Sequence, residues 1–147
     1  MTDAPPVSIQ EVSRRSGLSE PTLRYYEKIG LIGPVPRDAG SGHRRYGAAA
    51  VERIEALSCL KATGMSVRDM HAYLRHLDGE ADADRAAQLR ELFRRNADRV
   101  AEELGRMRVR LRYLQLKTDL WDAREWGDDE AERCAVDELT HTVPELR

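Results

Sequence analysis

A chain of 147 residues with 41% apolar content has room for one small fold, or for a small fold plus an extended helix, but not for a large core. Charged residues make up 34%, no apolar run approaches the roughly 18 residues of a membrane span, and the opening MTDAPPVS lacks a basic-then-apolar signal segment. Cys59 and Cys134 are the whole thiol complement, so a disulfide framework is excluded, and a cytoplasmic protein without membrane contact is the expectation.

The net charge of −2 argues against nucleic acid taken alone, but the charge is unevenly spread. Residues 1–77 carry 11 Lys/Arg against 8 Asp/Glu, a net of +3, and the remainder carries −5. The basic excess lies within 8–47, where 7 cations meet 4 anions.

Four helices are predicted before residue 78. Ser8-Ile-Gln-Glu11 is a capping box that opens the first, and Gly17 ends it. Ser19 caps the second, with Pro21 tolerated in its first turn and Gly30 closing it. A third runs from about Gly47 to Thr63 through Val51, Ile54, Leu57 and Leu60, and Ser66-Val-Arg-Asp69 opens a fourth through Met70 and Leu74. The first two, joined at Gly17-Leu18, have the dimensions of a helix-turn-helix.

Advancing about 100° per residue along the second helix, Leu23, Tyr26 and Ile29 fall on one arc and Arg24, Tyr25 and Lys28 on the opposite one, with Thr22 at the border. One tyrosine turns inward and its neighbour outward. The outer arc suits phosphate oxygens and base edges in a major groove, and it suits a plain solvated face equally well. The following stretch, GPVPRDAGSGHRRY, places two prolines and a Gly-Ser-Gly turn between an arm ending at Arg37 and another from His43 to Tyr46, which predicts a small β-hairpin. His43, Arg44 and Arg45 on a hairpin beside a candidate recognition helix form a wing able to grip the DNA backbone, and the coincidence favours the DNA reading.

The run TLRYYEKIGLIGPVPRDAGSGHRRY, followed by a helix ending LKATGMSVRDMHAYL, resembles the winged helix-turn-helix domain of the MerR family of bacterial transcription regulators over residues 7–77. The resemblance implies Arg24 and Tyr25 as recognition-helix contacts, Arg44, Arg45 and Tyr46 as wing contacts, and Thr22 and Lys28 as secondary ones. His43 departs from the family, which often has an aromatic there, and the wing turn Asp38-Ala-Gly-Ser-Gly42 is one residue longer than usual.

Beyond Gly79 the chain reads as one long charged helix. Phe93, Val100, Met107, Leu114 and Trp121 recur every seven residues, with Ala97, Leu104, Leu111 and Thr118 between them, a coiled-coil seam of about four heptads. A bundle core stripe would look similar locally, but no other predicted segment is long enough to cover it, so a second copy is the expected partner. The expected architecture is mostly α: a winged helix-turn-helix domain at 7–77, a linker and dimerisation helix at 78–121, and an acidic segment at 122–147 whose order the sequence leaves open. The resemblance implies that the seam forms an antiparallel coiled coil, and that the dimer distorts a promoter spacer to act on RNA polymerase indirectly.

Signal input is the least legible feature. Residues 122–147 are too few for a large ligand-binding module, and Cys134 with His141 offers too few soft ligands for a metal site, so neither metal nor cofactor is expected. Cys59 and His71 lie on different predicted helices with no orienting third group, which argues against an enzyme. Cys59, in LSCLKATGMS, is either a small core group or a sensor. The resemblance points to a subgroup that responds to aldehydes, nitrosative agents or other thiol-reactive electrophiles. A winged-helix DNA-bending protein without an effector is the alternative.

Overall fold

The computed structural model describes residues 4–79 and 82–147. Six α-helices occur there: α1 Ile9–Ser16, α2 Glu20–Lys28, α3 Ala48–Ala62, α4 Val67–Asp78, α5 Arg85–Trp126 and α6 Asp129–Thr142, with a 3-10 turn at Val143–Leu146. The chain falls into two compact units, Met1–Leu92 and Phe93–Arg147.

In the first unit the helix ends sit where hydroxyl caps and glycines put them. The Ser8 Oγ accepts from the Glu11 N–H (3.3 Å), Ser19 from Thr22 (3.2 Å) and Ser66 from Asp69 (3.1 Å). Each satisfies one of the donors that a helix start leaves without a partner. Gly17 closes α1 at φ 76, a left-handed conformation that costs an L side chain energy. The inward positions meet in one core, with Val12, Leu23, Tyr26, Leu31, Ile32, Ile54, Leu57 and Met70 all at most 3% exposed. Tyr26 is thus the buried tyrosine, while Tyr25 remains half exposed.

The hairpin forms with very little sheet. The Arg45 N–H donates to Pro36 O (2.8 Å) and the Asp38 N–H to His43 O (2.7 Å), around a single bridge between Arg37 and Arg44. Its tip is held by Asp38, whose carboxylate accepts from the Gly40 and Ser41 N–H groups at 2.8 and 3.1 Å. Those two N–H groups are the main reason the Asp38 carboxyl lies below its usual range. A second bridge, Val7 to Tyr46, ties the returning arm to the segment before α1.

In the second unit residues 122–147 are helical. Gly127, at φ 67, turns the chain, and Asp128 caps α6 through the Ala131 N–H (3.0 Å). Leu116 and Leu120 of α5 pack against Ala135 and Leu139 of α6, flanked by Tyr113. Arg124 pairs with Glu132 at 2.8 Å, and Arg112 pairs with Glu138. The residues taken by α6 lie roughly half a turn around α5 from Leu111 and Leu114, at about 100° per residue. The seam therefore stays open within the chain: Val100, Leu104, Met107, Leu111, Leu114 and Trp121 are 40–62% exposed.

Candidate nucleic-acid interface

The outward arc of α2 is as the periodicity predicts. Arg24, Tyr25 and Lys28 are exposed, and Thr22 is half-buried with its hydroxyl 2.7 Å from Ser19 Oγ. A cleft of about 270 Å³ opens beside this arc, where Ser8 and Gln10 at the start of α1 and Arg24 of α2 face Arg37, His43, Arg44 and Arg45 of the hairpin. Four guanidiniums and an imidazole thus converge near the positive end of a helix, an arrangement suited to a phosphate oxygen.

The cations of this cleft are not equivalent. Arg44 is largely buried and its Nε donates to Glu27 Oε1 at 2.7 Å, while Glu27 Oε2 accepts from the Val35 N–H at 3.0 Å. One carboxylate therefore ties the recognition helix to both arms of the hairpin. Burial pushes the Glu27 carboxyl up, but the Val35 N–H and Arg44 together outweigh it and hold the group below its ordinary value. Arg45 lies 3.6 Å from Asp38 in a more exposed pair, and Arg37 is exposed. On α1, Arg14 and Arg15 are both committed to Glu11, at 2.5 and 2.8 Å.

One expectation about the wing needs correction. Tyr46 is not on its surface: it is 0% exposed, part of the main core, and its hydroxyl has no hydrogen-bond partner among the described residues. The alternation of the returning arm explains this, since Arg45 points out and its neighbour must point in. Arg44, expected as a wing contact, gives its Nε to Glu27 and still lines the cleft. Sequence reasoning also passed over Arg37, in the cleft, and Glu27, the anion between Tyr26 and Lys28 in the last turn of α2. Glu27 was the legible signal, because a carboxylate amid Arg24, Lys28, Arg44 and Arg45 needs a structural partner.

The other named residues are dispersed. Cys59 is exposed on α3, and Cys134 is exposed on α6. Among the described residues no helix is long and apolar enough to cross a membrane.

A helix-turn-helix with an outward Arg-Tyr-Lys arc and a basic hairpin beside it defines a DNA-binding transcription regulator. The family described as MerR HTH family regulatory protein matches residues 7–77. The uncharacterized HTH-type transcriptional regulator YyaN of Bacillus subtilis (strain 168) is 33% identical over 113 residues, covering 74% of this chain and 80% of that one. HmrR, an HTH-type transcriptional regulator of Rhizobium leguminosarum bv. viciae, is 37% identical over 112 residues, covering 74% and 83%. Among solved structures, HiNmlR, described as a MerR family regulator lacking the sensor domain and bound to promoter DNA, superposes with a TM-score of 0.66 at 28% identity, over 86% of this chain and 95% of that one. The chain belongs to the MerR family, and its relatives are transcriptional regulators, not enzymes.

Proposed function

We propose that the protein acts in the cytoplasm as a homodimer on an inverted-repeat site within a bacterial promoter, with α2 in the major groove and the hairpin on the flanking backbone. The observation that carries this reading is the convergence of Arg24, Arg37 and Arg45 on one cleft beside the start of α1 and the exposed Tyr25. The DNA-bound neighbour HiNmlR supports it. Residues 7–77 serve as the DNA-binding domain, 78–121 as linker and dimerisation helix, and 122–147 as a cap on that helix. Two winged domains on one dimer match the symmetry of a two-fold site. Distortion of the spacer between promoter elements, acting on RNA polymerase through the DNA, would couple binding to transcription, with deformation energy contributing to recognition.

The test is fluorescence anisotropy on the promoter of its own or neighbouring genes across a salt series. Each phosphate contact contributes a slope of about −0.9 in log affinity against log salt. Arg24→Ala and Arg45→Ala should each weaken binding, and wild-type affinity in both at moderate salt would overturn the interface.

For the signal, Cys59 is proposed as a sensor of thiol-reactive electrophiles, supported by its exposure, since thiolate attack needs access. A Cys59→Ser variant should lose the response of a promoter reporter to aldehyde or nitrosothiol. An unchanged response would remove Cys59 from that role. A reporter that answers no stress at all would favour the architectural DNA-bending alternative.

A further inference from the structure

Of the four histidines, His71 and His76 lie on α4 and His141 on α6, whereas His43 lines the cationic cleft with Arg24, Arg37, Arg44 and Arg45. Resting on the DNA interface above, we propose that His43 is a proton-linked contact to the DNA backbone. A phosphate seated in the cleft and a proton on the imidazole bind together, so operator affinity rises on acidification through the neutral range.

The hairpin leaves the imidazole uncommitted. The His43 N–H donates to Ser41 Oγ at 3.3 Å, and its carbonyl accepts from the Asp38 N–H at 2.7 Å. The ring itself is exposed and has no hydrogen bond or ion pair among the described residues. Side chains alternate along an extended arm. His43 therefore shares the outer face with Arg45, while Arg44 turns to Glu27 and Tyr46 enters the core.

The surrounding charges make His43 the group that titrates. Arg24 and Glu27 come from α2, Arg37 and Asp38 from the outgoing arm, and Arg44 and Arg45 from the returning arm. The start of α1 adds only the uncharged Ser8 and Gln10. Four guanidiniums against two carboxylates leave a net of +2 before His43 is counted. Guanidiniums stay charged throughout. Glu27 and Asp38 are both held below their ordinary values, so they remain anionic well below neutrality. Only the imidazole changes charge between about pH 5 and 8.

A backbone phosphate reverses the charge that the imidazole meets. An opposite charge within about 4–6 Å favours the ionised form of a titrating group. The imidazolium also offers two N–H donors where the neutral ring offers one. The affinity gained is complete below the imidazole's value in the free protein and is lost as pH rises through its value in the complex. A one-unit difference between the two corresponds to about tenfold in affinity at each winged domain, and a dimer carries two such domains. An aromatic at this position, which the family often has, brings no such response.

The experiment measures binding of the full chain to a promoter fragment of its own or neighbouring genes by fluorescence anisotropy. Ionic strength is held constant, at about pH 6 and about pH 8, either side of the ordinary imidazole value. The wild type should bind about tenfold tighter or more at the acid end. His43→Gln should lose most of that difference and bind at both as the wild type does near pH 8. His43→Arg carries a permanent charge and should bind at both as the wild type does near pH 6. Calorimetry near pH 7 in two buffers of different ionisation enthalpy should show proton uptake by the wild type and less by His43→Gln. The same pH dependence in wild type and His43→Gln would overturn the proton linkage and leave the interface standing. A wild type that is folded by circular dichroism yet binds no fragment at either pH would overturn the interface and the linkage together.

Discussion

Replacing Glu27 should uncouple the hairpin from the recognition helix. Both its oxygens are engaged, Oε1 with Arg44 at 2.7 Å and Oε2 with the Val35 N–H at 3.0 Å, and both charged side chains are about four-fifths buried, at 20% and 23% exposure. Glu27→Ala leaves a backbone donor and a guanidinium without their acceptor. An unsatisfied buried donor costs about 1–3 kcal/mol, and the lost ion pair adds about 1 kcal/mol after discounting for residual solvent. A total of about 2–4 kcal/mol is expected by urea unfolding at fixed protein concentration. Glu27→Gln keeps an acceptor for Val35 and should cost about 1 kcal/mol. Both should weaken operator binding more than nonspecific DNA binding, because the hairpin loses its placement and not its charge. The pH dependence has a definite sign. The folded carboxyl sits below its ordinary value near 4.5, so the unfolded chain binds the extra proton in that window. The contribution is complete above about 4.5 and is lost as pH falls through the folded value. Glu27→Gln should therefore show a shallower loss of stability on acidification than the wild type. A Glu27→Ala change under 0.5 kcal/mol, or a Glu27/Arg44 double-mutant cycle with no coupling, would refute the strut, coupling of at least about 0.5 kcal/mol being expected for contacting residues.

Other consequences are equally direct. Tyr46→Phe removes a buried hydroxyl that has no partner among the described residues, so thermal unfolding should show it neutral or stabilising by up to about 1 kcal/mol, with DNA affinity unchanged. A β-carbon added at Gly105 meets nothing within 4 Å in the interior of α5, and Gly105→Ala should raise stability by about 0.5–1 kcal/mol in the same assay. Leu111→Asp places a charge in both halves of the proposed seam and should abolish the dimer on sedimentation, with operator binding lost alongside it. Tyr25→Ala should reduce affinity for the operator without altering unfolding, because Tyr25 is half exposed whereas Tyr26 beside it is core.

The helices of the first unit were legible because their signals are local. A serine hydroxyl reaching an N–H three residues on, a glycine able to take positive φ, and an inward arc of Leu23 and Tyr26 are decided within a few residues of chain. The long helix α5 and its exposed apolar stripe were legible for the same reason, the period being the signal itself. What the tertiary structure alone decided were the fates of residues whose partners are distant in sequence. Arg44 was legible as a wing residue but not its bond to Glu27, 17 residues earlier; Tyr46 looked like the wing's last contact and lies in the core. Residues 122–147 looked merely acidic, because the apolar groups that α6 buries against α5, Ala135 and Leu139, are too few to declare a helix until Leu116 and Leu120 supply the surface they bury. Local hydrogen bonds and periodicity are properties of a segment, but burial is a property of two segments brought together, and only the folded chain brings them.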